Sequence, residues 1–127
     1  MLYLIVFAGA GLGGAMRHGT NVLAARLFGY GFPAGTLLVN VVGSLAMGVL
    51  AGYFASRTGL SQHARLFLTT GILGGFTTFS AFSLDTAVLL QRHAYWTAAG
   101  YAAVSLLGSV AALFVGLSLW RAAGSLP

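Results

Sequence analysis

The sequence predicts an all-α membrane protein of four transmembrane helices, and three observations carry that prediction. The first is composition. The chain is 58% hydrophobic and only 6% charged, with a mean hydropathy of +0.92, where an ordinary soluble domain carries roughly 25% charged residues. Too few charges are present to coat a water-facing surface, so lipid is the expected solvent and partner. The second is punctuation. The apolar runs are interrupted at Phe28-Gly29-Tyr30-Gly31-Phe32-Pro33, at Ser56 to His63, and at Gln91-Arg92-His93. The third is the absence of short segments alternating apolar and polar residues, which a membrane β-barrel would show.

A helix needs about 20 apolar residues to cross the hydrocarbon core. The breaks leave spans near 2–27, 35–55, 65–90 and 95–120. Short connections make neighbouring helices antiparallel, and residues 1–127 form one domain without linker or low-complexity segment.

Span 1 opens on an apolar stretch, Met1 to Gly14, with no basic region before it. It reads as a membrane span rather than a removable signal. Its Gly9-Ala10-Gly11-Leu12-Gly13-Gly14 satisfies G-x-G-x-x-G, but a dinucleotide site needs a preceding strand and an acid about 20 residues on. The first acid in the chain is Asp85, so helix packing is the better account. Gly9 with Gly13, Gly48 with Gly52, and Gly71 with Gly75 all have the four-residue spacing that lets helix backbones approach in lipid. Arg17 lies well inside the span. It either snorkels to an interface or forms an electropositive vestibule.

Span 2 places Asn40 deep in Gly35-Thr36-Leu37-Leu38-Val39-Asn40-Val41-Val42-Gly43-Ser44. An amide in hydrocarbon is costly unless satisfied. It either bonds a neighbouring helix or donates to a permeating anion.

Span 3 carries Gly71-Ile72-Leu73-Gly74-Gly75-Phe76-Thr77-Thr78-Phe79-Ser80-Ala81-Phe82-Ser83. Adjacent glycines and a Thr-Thr pair suit a regular mid-membrane helix poorly, so the third helix is expected to break near its centre. Broken backbone is tolerated at that depth only when buried in protein or lining a cavity, and its freed carbonyls can hold a cation. Phe76, Phe79 and Phe82 recur every three residues, and Thr77, Ser80 and Ser83 run beside them. Ring edges are electropositive and hydroxyls donate, so both stripes suit an anion.

Span 4 sets Thr97, Tyr101, Ser105 and Ser109 four residues apart, a ladder drifting about 40° per step. Such a ladder reads as a hydrophilic track.

Net charge is +5, but six scattered arginines make no nucleic-acid patch. Loop 2–3 and the C-terminus share Arg57, Arg65 and Arg121, and the opposite face has Arg26 and Arg92. Three against two gives the positive-inside rule little grip. A single weakly set orientation and a dual topology both stand open. With no Cys, one acid and no clustered His, catalytic constellations are nearly unavailable, so an enzyme is not expected.

Gly13-Gly14-Ala15-Met16-Arg17, Gly35 through Gly43, and Gly74 through Ser83 together resemble the Fluc, or CrcB, family of small fluoride channels, and the likeness covers the whole chain. The resemblance implies an antiparallel dual-topology homodimer in a bacterial inner membrane, with two fluoride pathways and a central structural sodium ion. It places Asn40, Phe79 and Phe82 on the fluoride pathway, with Ser80 and Thr36 beside it and Tyr101, Ser105 and Ser109 as the polar track. It also implies that Gly74 and Thr77 offer backbone carbonyls to sodium and that Arg17 lies near a vestibule. Ala81 stands where the family usually has Thr, and Asp85 where it usually has Glu. Two other readings compete. A small multidrug-type transporter needs a carboxylate in its first helix, and span 1 has none. A non-transporting assembly subunit explains the glycines but not the hydroxyl ladder.

Overall fold

The computed structural model describes residues 1–56 and 61–124. Arg57 and the side chain of Arg121, both counted in the charge balance, lie outside the described residues. The described chain is helical, without strands. Helix α1 (Leu2–Phe28) ends at Gly29, whose φ of 76° turns the chain while its N–H returns to the Ala25 carbonyl at 2.9 Å. A glycine takes this left-handed conformation without steric cost. Pro33, which lacks an N–H, directly precedes α2 (Ala34–Ser56). The third span is composite: α3 (Gln62–Leu66), a π-helical turn at Phe67–Leu73, the short α4 (Gly74–Phe76), and α5 (Phe79–Gln91). Ser61 caps α3 by accepting from the His63 N–H at 3.1 Å. His93, at φ 61°, makes the turn into α6 (Tyr95–Gly124).

Ala34–Ala55, Gln62–Gln91 and Tyr95–Trp120 are long and apolar enough to cross a membrane. With 27 residues α1 has the length as well, about 40 Å at 1.5 Å per residue. Arg17, His18, Thr20, Asn21, Arg26 and five glycines lower its apolar content, so packing rather than composition places it among the others.

Small residues position the helices. The most extensive contact joins α2 to α6, at Gly48 and Gly116. A side chain at Gly116 would strike the Val49 backbone nitrogen, and one at Gly48 the Gly116 Cα. Gly52 sits against Trp120. Helix α1 lies on the π-helical turn and α4, with Gly9 on Phe67 and Gly71, Gly13 on Ile72 and Phe76, and Gly75 on Ala10. All three expected glycine pairs therefore sit at close approaches, whereas Gly11 and Gly14 of the false dinucleotide pattern face open space. By contrast α5 leans mainly on α6, through buried Leu89, Ala98 and Tyr101 with Phe82 and Leu37 against them.

Candidate functional site

The site is built around Thr77 and Thr78, where the helical hydrogen bonding of the third span is interrupted. Thr77 is extended (ψ 157°), as is Thr78 (φ −154°, ψ 119°). The Leu73 carbonyl accepts both the Thr77 N–H at 3.0 Å and the Thr77 hydroxyl at 2.9 Å, closing the turn before the interruption. The Thr78 hydroxyl accepts from the Ala81 N–H at 3.1 Å, which caps α5. Asn40, across on α2, grips the intervening peptide twice. Its Oδ1 accepts from the Thr78 N–H at 2.8 Å, and its Nδ2 donates to the Thr78 carbonyl at 3.0 Å. From α1, Arg17 Nε donates to the Gly75 carbonyl at 3.1 Å. A cation at the C-terminal end of a helical segment meets the partial negative charge there.

These bonds redirect two donors. A continuous helix would aim the Thr78 N–H at Gly74 and the Ala81 N–H at Thr77. Asn40 takes the first and the Thr78 hydroxyl the second. The Gly74 and Thr77 carbonyls lose those partners and become available acceptors. Among the described residues no group of three or more His, Cys, Asp or Glu side chains could hold a metal ion.

Beside the interruption, α2, α5 and α6 enclose a cleft of about 370 Å³ that opens on one side of the chain. It brings together Asn40, Gly74, Thr77, Phe79, Phe82, Ser105 and Ser109. Ser105 is 7% exposed, and its hydroxyl has no hydrogen-bond partner among the described residues. A buried hydroxyl in that condition costs about 1–3 kcal/mol. The rings of Phe79 and Phe82 stand 5.5 Å apart, tilted by 45°. Phe79 is 79% exposed at the mouth.

The remaining expected residues fall elsewhere. Tyr101 is fully buried, donates to Asp85 Oδ2 at 3.0 Å, and stacks on Phe82 at 5.2 Å. Asp85 is thus held by a phenol. Thr36 and Asp85 line a second cleft of about 400 Å³ at the end of the chain where α1 meets α2. Ser80 is exposed and lies 3.3 Å from the Thr78 hydroxyl, outside the first cleft's lining. Thr97 is exposed and lines neither cleft, so the ladder on α6 divides: Ser105 and Ser109 face the Asn40 cleft, and Tyr101 faces Asp85. Sequence reasoning missed Thr78 and Ser44, which also line the first cleft. The signal for Thr78 was a cap-forming residue just before an apolar run. Ser44 stands one helical turn from Asn40.

Residues 4–117 match the family described as CrcB-like protein, Camphor Resistance (CrcB). The chain is 61% identical over 114 residues to a protein of Methylobacterium nodulans named fluoride-specific ion channel FluC, spanning 90% of this chain and 88% of that one. A protein of the same name from Rhodopseudomonas palustris is 56% identical over 122 residues, covering 96% and 98%. Fluoride-specific ion channel FluC 2 of Nitrobacter hamburgensis is 54% identical over 121 residues, covering 95% and 98%.

Proposed function

The chain belongs to the CrcB-like protein family, and we propose that it is a fluoride-selective channel, passing fluoride down its gradient through the cleft beside Thr77 and Thr78. The observation that carries this reading is the Ser105 hydroxyl, which faces that cleft with no partner among the described residues. Fluoride holds its water tightly, so a pathway must supply replacement donors. Ser105 has a donor to spare, and Ser109 stands one turn further along α6. Asn40 Nδ2 carries two hydrogens and spends one on Thr78, leaving one for the anion. The Phe79 and Phe82 ring edges add positive quadrupole. None of the residues lining the cleft is titratable, which favours passive conduction over a proton-coupled cycle. Binding must stay weak enough for release.

One chain leaves the cleft open, with Gly74 exposed at its edge. In our reading a second, antiparallel copy closes it, giving a homodimer with two pathways. The near-even arginine balance supports insertion in both orientations. The Gly74 and Thr77 carbonyls of each copy would hold a central sodium ion, since hard oxygen donors from an interrupted helix suit such a cation. Its fixed positive charge would lower the cost of an anion at membrane depth. Thr36, Tyr101 and Ser80 lie off the Asn40 cleft and flank it in this account. The setting is a bacterial inner membrane, where the channel would lower cytoplasmic fluoride.

Fluoride efflux from liposomes, compared between wild type and Asn40→Asp, tests the proposal. The substitution replaces the free amide donor with a carboxylate that repels the anion and loses one grip on Thr78. Rapid efflux from wild type and its loss in a folded Asn40→Asp dimer are expected. No fluoride efflux from the folded wild-type protein would refute the function, and equal efflux from both would remove Asn40 from the pathway.

A further inference from the structure

We propose that Arg65 gathers anions at an entrance to the Asn40 cleft, at the end of the chain where α2 is followed by α3. This rests on the fluoride reading above and names the residue that sets access to the site. A groove of about 640 Å³ runs along the π-helical turn, with Arg65, Thr69 and Thr70 on one side and Phe54 on the other. Its inner end is formed by Met47 and Gly74, and both also line the Asn40 cleft. The two spaces therefore border one another at these residues, and the groove reaches from the end of the bundle towards the interruption at Thr77 and Thr78.

Arg65 is the one charged residue among the described residues lining the groove. Its guanidinium carbon lies 5.2 Å from the centre of the Phe54 ring, so the cation is held against a groove wall. The Thr69 hydroxyl is spent on the Arg65 carbonyl at 2.7 Å, while Thr70 is exposed. Arg17 lies deeper, with its Nε on the Gly75 carbonyl at 3.1 Å, and does not line this groove. The cleft at the opposite end has both Arg92 and the carboxylate of Asp85 in its lining, so its formal charges offset. A cation in a low-dielectric groove focuses the field and raises the local concentration of a small inorganic anion. Salt screens that effect: the Debye length falls from about 30 Å at 0.01 M to about 3 Å at 1 M.

The test is the single-channel fluoride current across a planar bilayer, with ionic strength set by a salt of a large impermeant anion. For Arg65→Gln the current is expected to fall about two- to fivefold at ~0.01 M and to match wild type near ~1 M. Arg65→Lys keeps the wild-type current at both strengths, and Arg65→Glu falls below Arg65→Gln at low salt. Arg26→Gln, at an exposed arginine outside all three grooves, leaves the current unchanged. An Arg65→Gln current equal to wild type at low salt overturns the proposal. So does a loss of the same size at both ionic strengths, which would mark a structural role. A wild-type protein that carries no fluoride current would instead overturn the channel reading itself.

Discussion

Asn40 spends two hydrogen bonds on the backbone of Thr78, whereas Ser105 spends none among the described residues. This difference separates their expected phenotypes. Removing Asn40 takes away both the grip on the interruption and a donor. Removing the Ser105 hydroxyl takes away only a donor, and one whose burial costs about 1–3 kcal/mol. Ser105→Ala should therefore leave the melting temperature unchanged or raise it, while fluoride flux falls severalfold. A variant both less stable and fully conducting would contradict the assignment. Asn40 was legible in the sequence because an amide amid valines and leucines stands out. Its partner was not, because the bond joins residues 38 positions apart, and no local pattern encodes which backbone it meets. Arg17 was legible as anomalous, whereas its contact with Gly75, 58 positions away, was not.

At the scale of elements, glycines decide how closely α1 approaches the third span. A Cβ at Gly13 would press on the Phe76 backbone nitrogen at 2.8 Å, while one at Gly11 meets nothing within 4 Å. Both lie in the same helix, so intrinsic propensity favours alanine equally at each by about 1 kcal/mol. Gly11→Ala should match or exceed wild-type thermal stability, and Gly13→Ala should fall clearly below it. Equal behaviour in a thermal melt would mean that α1 does not pack as described. Thr78→Val removes the cap of α5 and should cost about 1 kcal/mol in the same assay. Three spans were readable from hydropathy, the first from its length between breaks, and the three glycine pairs from four-residue spacing. Gly116, the partner of Gly48, was not, because no second glycine stands at that spacing in its own helix. The π-helical turn at Phe67–Leu73 was equally hidden: its residues read as ordinary helix, and only packing against α1 distinguishes them.

For the whole molecule, the claim to test is the proposed antiparallel pair. The chain contains no cysteine, so a single introduced thiol reports topology without background. Tyr30, 88% exposed between α1 and α2, is the natural position. In sealed vesicles, Tyr30→Cys should be labelled to about half by an impermeant thiol reagent, as a dual-topology pair with two-fold symmetry requires. Labelling of all or none would assign one orientation and exclude the antiparallel pair. The most direct measurement is fluoride against chloride efflux from the same liposomes carrying the purified protein, read with two ion-selective electrodes. Fast fluoride efflux with chloride retained is the predicted result. Chloride leaving as readily as fluoride would contradict the account, because a cleft of fixed hydroxyl, amide and ring-edge donors built for a small anion should not pass a large one.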